Sequence, residues 1–253
     1  MFIFILFLLG ASIGSFIHAL ADRLCLDKPF VADRSECDFC KKKLGWKELI
    51  PVLSFFLQKG KCKHCKKNLS FWYPLSEIGT GLLFVGIFFI SPSIHFFLFS
   101  LFLVSILLCI ALADAKYTLI PFPLIVIGSF STFLYVGIFQ NSDLLSSVVS
   151  GVLTSLGFLF IYVITKGRGM GFGDVTFAFL MGALLRFPAV IVGLYIAFLT
   201  GAVISLILIL LKKKKLKGDT IPFGPFLVIG TVVGYFFGDF FLRMASMYLN
   251  YGF

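Results

Sequence analysis

The sequence predicts an all-α polytopic membrane protein of about eight transmembrane helices, with a small zinc-ribbon-like cytoplasmic loop between the first two. Three observations predict it. The first is composition: 59% of the 253 residues are hydrophobic, 34 are Phe, and the mean hydropathy is +1.04, against roughly half apolar in a soluble domain. The second is spacing, because the apolar residues fall in runs long enough for a hydrocarbon core about 30 Å thick, which takes roughly 20 residues of helix. The third is charge placement. Twelve of the 22 Lys and Arg residues lie between positions 21 and 70. Lys and Arg gather in cytoplasmic loops of membrane proteins, so the formal charge of +10 needs no nucleic acid, and no nucleic-acid partner is expected.

The first span, about Met1 to Leu20, has no basic stretch before it and no small-residue cleavage site ahead of the cysteines, and is read as retained. Its uncharged start and the basic loop after it put the N-terminus outside and the loop in the cytoplasm. Apolar runs follow at about Phe71–Ile90, Ile94–Ala113, Leu119–Phe139, Leu144–Thr165, Val175–Leu185, Pro188–Leu211 and Pro222–Leu242. Alternating crossings then place Lys116, Lys166, Arg168, the run Lys212 to Lys215 and Lys217 on the loop side. Arg186 and Arg243 alone fall outside, so 20 of 22 basic residues share one face. The run 175–185 is short, about 17 Å at about 1.5 Å per residue. It must cross nonetheless, or the lysine run would face outward. Its helix is expected to begin near Gly173, with bilayer thinning or protein neighbours covering the shortfall. The chain therefore divides into a first helix (1–20), a four-cysteine loop (21–70) and a seven-helix membrane domain (71–253). No internal repeat is read.

Cys37-Asp38-Phe39-Cys40 and Cys62-Lys63-His64-Cys65 are two C-x2-C knuckles 21 residues apart, close to the spacing of a structural zinc ribbon. Four thiolates close a tetrahedral shell and leave no place for a reactive water, so zinc would organise the loop. In a reducing compartment metal is favoured over the alternatives for paired cysteines, unmetallated thiols or disulfides. Cys25 and Cys109 fall outside the pattern and read as buried free thiols. His64 is superfluous beside four cysteines, and no partner is identified for His18 or His95.

Four acids adjoin apolar spans: Glu77, Asp114, Asp174 and Asp239. An ionisable group at a span edge is costly unless it serves something. Asp174 closes the stretch Gly169-Met170-Gly171-Phe172-Gly173-Asp174, whose glycines permit positive φ or close approach. Taken alone, this stretch also fits a helix cap. The crossings put Asp114, ending the third span, on the same face as Asp174. Pro121 then suits the first turn of the next helix. Two such carboxylates can share a proton, one as base toward water and one as acid toward a carbonyl oxygen. Glu77 belongs to another span end and Asp239 to the opposite face.

These residues, with Gly14-Ser15-Phe16, Arg23, Leu44-Gly45-Trp46-Lys47-Glu48-Leu49-Ile50-Pro51, Trp72-Tyr73-Pro74-Leu75-Ser76-Glu77, Ile120-Pro121 and Ile221-Pro222-Phe223-Gly224-Pro225-Phe226, resemble the type IV prepilin peptidases over nearly the whole chain. The resemblance implies a GxGD aspartic peptidase of the bacterial inner membrane with Asp114 and Asp174 as its catalytic pair. Its substrates would be prepilins or pseudopilins of type IV pilus, type II secretion or competence systems. Cleavage would follow a glycine at the cytoplasmic end of the leader, and S-adenosylmethionine would methylate the new N-terminal amine, commonly of phenylalanine. Membrane lipid is the remaining expected partner; no cofactor-contacting residue and no oligomeric state is implied. Two positions depart from the family. His18 replaces an asparagine in the methyltransferase region, and Thr176 replaces a lysine beside Asp174. The competing reading is a non-enzymatic scaffold or small transporter with a zinc-stabilised loop.

Overall fold

The computed structural model describes residues 1–26, 36–37, 39–140, 143–211 and 221–251. Lys28, Arg34, Asp38 and the lysine run from 212 to 217 lie outside the described residues. Among those described, the chain is helical, with two isolated β-bridges and no strand. The helices are α1 (Phe2–Cys25), α2 (Leu53–Leu57), α3 (Trp72–Ile90), α4 (Ile94–Tyr117), α5 (Phe122–Phe139), α6 (Leu144–Ile164), α7 (Phe172–Leu185), α8 (Ala189–Leu210) and α9 (Gly224–Tyr251), with a 3-10 turn at Trp46–Glu48. Seven of them, all but α2 and α7, are long and apolar enough to cross a membrane. The eighth expected crossing is α7. It begins at Phe172 and has 14 residues, about 21 Å at about 1.5 Å per residue. Pro121 caps α5, and the proline in that helix's first turn is Pro123.

The chain forms two compact units, Met1–Cys109 and Ile110–Phe253, the division falling inside α4. In the first unit α1 packs on α3. The contact works because it is made of small residues: a Cβ on Gly10 would lie 2.9 Å from Gly81 Cα, and one on Gly14 would lie 2.9 Å from Thr80 Oγ1. Where lipid is as apolar as leucine, close backbone approach of this kind is what draws helices together.

In the second unit α7 is the central element. Ten of its 14 residues are buried, and it packs on α5, α6, α8 and α9. Protein neighbours therefore cover the short helix. The outer helices present apolar side chains instead, such as Leu153 and Phe160 on α6 and Tyr195 on α8. α6 and α7 run antiparallel. Near the start of α6 Ser147 donates to the Ala183 carbonyl late in α7, whereas Ser155, two turns on, donates to Val175 O at 3.1 Å. Arg186, just past α7, pairs with Asp143, just before α6, at 2.5 Å. The end of α4 meets the start of α9, and the start of α5 meets the start of α7.

Candidate active site and metal centre

Asp114 lies one turn before the end of α4 and is buried. The chain reverses directly after it. Thr118, at φ 53°, donates its N–H to Asp114 O at 2.8 Å, and Pro121 then caps α5. The Asp114 carboxylate reaches across to α9, where Oδ2 accepts the N–H of Gly224 at 2.7 Å. A side chain at position 224 would exclude this contact, since a Cβ there would sit 2.7 Å from Oδ2 and 2.9 Å from Cγ.

Asp174 is also buried and stands in the first turn of α7. Its Oδ2 accepts the N–H of Gly171 at 3.0 Å, so the helix-cap reading of this carboxylate holds geometrically. Capping does not exhaust it, because Asp174 and Asp114 line one cavity together with Thr118, Ile120, Phe172 and Thr176. The glycines act here through proximity. Gly171 has φ −77°, and a Cβ on Gly173 would lie 3.1 Å from Ile120 Cβ. Thr176, in the place of the family's lysine, donates its hydroxyl to Gly173 O at 2.8 Å and brings no charge.

The remaining acids stand apart from this pair. Asp239 is exposed on α9, 15 residues beyond Gly224 and thus about 22 Å along the helix. Glu77 is buried in the first unit, where its Oε2 accepts the Val52 N–H at 2.6 Å. Sequence reasoning assigned no role to Gly224. The Gly-Pro pair opening α9 was the available signal, since a glycine ahead of a proline at a helix start invites close approach.

In the first unit the sulfurs of Cys37, Cys40, Cys62 and Cys65 all lie within 4.8 Å of one another. Each knuckle closes in the same way. Cys37 donates to Lys42 O at 3.0 Å and accepts from Lys41 at 2.9 Å; Cys62 donates to Lys67 O and accepts from Lys66, both at 2.9 Å. Lys41 and Lys66 both take φ 56°. The two knuckles read from the sequence thus share one backbone geometry. The backbone N–H groups of Cys65 and His64 pull the Cys62 thiol down to about 7. At Cys65 the Lys67 N–H also lowers it, but desolvation and the neighbouring sulfurs outweigh this and push the thiol up to about 11. Sulfurs competing for protons at such range are the donor set a divalent cation would settle.

His64 stands outside the cluster, 3.8 Å from Glu48 Oε1. Cys109 is buried as expected, whereas Cys25 is only partly so. Both partnerless histidines have partners: His18 Nε2 meets Ser76 Oγ at 2.5 Å, its ring against Tyr73, and His95 Nε2 meets Ser93 Oγ at 3.0 Å. A separate cavity lies between α1, the loop and the start of α3, with Ser15, His18, Arg23, Tyr73 and Glu77 on its wall.

Comparison with known proteins agrees with this division of the chain. The bacterial peptidase A24 N-terminal domain matches residues 8–91, and the type IV leader peptidase family matches residues 101–206. The prepilin leader peptidase/N-methyltransferase of Bacillus subtilis (strain 168) is 35% identical over 251 residues, covering 95% of this chain and 98% of that protein. The protein of the same name from Pseudomonas aeruginosa is 27% identical, covering 99% of this chain and 94% of its own. No solved structure matches. The chain belongs to the type IV leader peptidase family.

Proposed function

We propose that this protein cleaves the leader of type IV prepilins or pseudopilins and methylates the amine thereby exposed, with Asp114 and Asp174 as the cleaving pair. The observation that carries the reading is the shared cavity: two buried carboxylates from different helices, each with one oxygen held by a glycine N–H, face the same space. Between them a water gives its proton to the ionised carboxylate as its oxygen attacks the scissile carbonyl carbon. The protonated carboxylate hands its proton to the carbonyl oxygen. Collapse of the tetrahedral carbon breaks the C–N bond, and the amine leaves with a proton returned by the pair. Family kinship supports the substrate class, and the apolar helices support an integral protein of the inner membrane.

The orientation follows the lysine and arginine bias: N-terminus outside, cysteine loop and both aspartates at the cytoplasmic face, with α7 as the eighth crossing. By sequence the chain divides into a first helix (1–20), the four-cysteine loop (21–70) and a seven-helix membrane domain (71–253), while by compactness α3 groups with α1 in the unit Met1–Cys109. Zinc on Cys37, Cys40, Cys62 and Cys65 is structural. Zn–S bonds of about 2.3 Å set sulfurs roughly 3.8 Å apart in a tetrahedron, and Cys37 and Cys65 already stand at 4.0 Å.

S-adenosylmethionine, the methyl donor, fits the cavity of the first unit by the chemistry of its wall. Leu44, Phe55 and Tyr73 offer apolar and aromatic surface for a base, Arg23 a cation for a carboxylate, and Glu77 an anion.

Purified Asp114→Asn and Asp174→Asn proteins, assayed on a prepilin, are expected to yield no cleaved product while remaining folded. Full cleavage by either one would end the assignment, whereas no peptide product from the wild type would favour the non-enzymatic scaffold or transporter.

A further inference from the structure

Among the described residues, the lining of the first unit's cavity is acidic although the loop around it is basic, with one of its acids, Glu36, paired with Lys41 at 3.6 Å. Residues 21–70 hold 12 Lys and Arg, yet among the described residues lining the cavity Arg23 alone is of that kind, against the carboxylates of Asp22, Glu36, Glu48 and Glu77. The lining is built on helical spacing. Ser15, His18, Asp22 and Arg23 fall on one face of α1, and Tyr73 and Glu77, four apart, on one face of α3, as the helical period dictates.

Glu77 is the buried member, 7% exposed. It is held from one side by the Val52 N–H at 2.6 Å, and Val52 takes φ 62° and ψ −54° to deliver that donor. A β-branched residue at positive φ persists only where its surroundings over-determine it. A carboxylate fixed in this way in a cavity wall suits a cationic ligand.

The remainder of the lining makes the class of ligand narrower. Apolar and aromatic side chains share the wall with the acids, which suits a nucleoside carrying positive charge better than a bare metal ion. The sulfonium cofactor of methyl transfer is such a molecule, and its by-product is not. Transfer breaks the S–CH3 bond, with the electron pair staying on sulfur, and forms an N–CH3 bond from the amine's lone pair. Sulfur is left a neutral thioether, while the amine nitrogen takes up the positive charge and sheds it as a proton.

We propose that this acidic cavity selects the sulfonium cofactor by its positive charge, with Glu77 as the buried anion, and that loss of that charge on transfer weakens the hold on the by-product. The proposal rests on the methyltransferase reading given above. It makes Glu77 a specificity-determining residue for the cofactor and gives the cavity's excess of acids a use separate from the metal.

The test is calorimetric binding of S-adenosylmethionine and S-adenosylhomocysteine to full-length, zinc-loaded protein in detergent. The wild type is expected to prefer the sulfonium by about tenfold or more, which is about 1.4 kcal/mol. Glu77→Gln keeps an oxygen for the Val52 N–H, so the fold and prepilin cleavage should persist while the preference falls within about threefold, or roughly 0.65 kcal/mol. Asp22→Asn, at the α1 wall, is the second variant and should lower the preference by less. An undiminished preference in the folded variants, or none in the wild type, overturns the proposal. Mass spectrometry of the mature pilin tells this apart from failure of the parent reading: a methylated N-terminus with no charge preference sinks the proposal alone, and an unmethylated one sinks the methyltransferase reading itself.

Discussion

The two units solve the problem of placing acids in a membrane protein in opposite ways. In the second, Asp114 and Asp174 are positioned by helix ends: the start of α9 and the first turn of α7 each supply a backbone N–H, and glycines let the segments touch. In the first, the acids line a cavity assembled partly from a loop whose shape depends on two cysteine knuckles. The helical site is stiffened by packing, as the burial of α7 shows, whereas the loop site needs a metal clip to hold irregular chain in place. Damage to the clip and damage to a helix contact should therefore have different consequences.

The largest separation is expected from removing the clip. A Cys62→Ser, Cys65→Ser protein should lose its zinc, measured by elemental analysis, and should lose methyl transfer by a larger factor than cleavage. An equal fall in both would mean that the two units do not divide the labour as described. Zinc affinity in the wild type should weaken as pH falls below about 11, to which Cys65 is raised, and more steeply below about 7, to which Cys62 is lowered, because the ligands are thiolates and acid returns their protons. Affinity that is flat from pH 8 to pH 6 would contradict this.

Next in size is Gly224→Ala. The added methyl would press on the Asp114 carboxylate at 2.7–2.9 Å, and misplacing a catalytic group by about 1 Å can cost about 100-fold in rate. Cleavage should fall by that order with methyl transfer to a pre-cleaved pilin unchanged. Wild-type cleavage kinetics would show that the contact with α9 is dispensable. The smallest effect is expected from Lys66→Gly, which relieves a lysine held at φ 56°. Left-handed backbone costs a non-glycine residue roughly 1 kcal/mol, offset in part by the flexibility glycine adds to the unfolded chain. A slight rise in thermal midpoint would agree, and a clear drop would show that the lysine side chain stabilises the knuckle.

How much of this was legible beforehand depends on the range of the interaction. Most of the long helices came within a few residues of their observed ends because length and hydropathy are local properties, but α1 runs on to Cys25 and α9 to Tyr251, past the apolar runs expected to end at Leu20 and Leu242. Asp174 and the knuckles stood out because their patterns are contained in six and four residues. Gly224 did not, since its partner Asp114 lies 110 residues away and nothing near it announces a carboxylate. His18 was left without a partner for the same reason: Ser76 is 58 residues on. The short run in the middle of the chain looked like a weak crossing from its length alone. Its burial among α5, α6, α8 and α9 depends on tertiary packing that hydropathy does not encode. The cavity of the first unit, with its excess of acids inside a basic loop, was hidden for a related reason, because net charge along the chain says nothing about which side chains turn inward.

The central claim is that cleavage depends on the aspartate pair of the second unit and methylation on the cavity of the first. One experiment addresses it directly. Asp174→Asn protein is given, in parallel, an intact prepilin and a pre-cleaved pilin with a free N-terminal phenylalanine, both with S-adenosylmethionine, and the products are weighed by mass spectrometry. The expected result is an uncut prepilin beside a fully methylated pre-cleaved pilin. A cut prepilin, or a pre-cleaved pilin left unmethylated by the folded variant, would contradict the account.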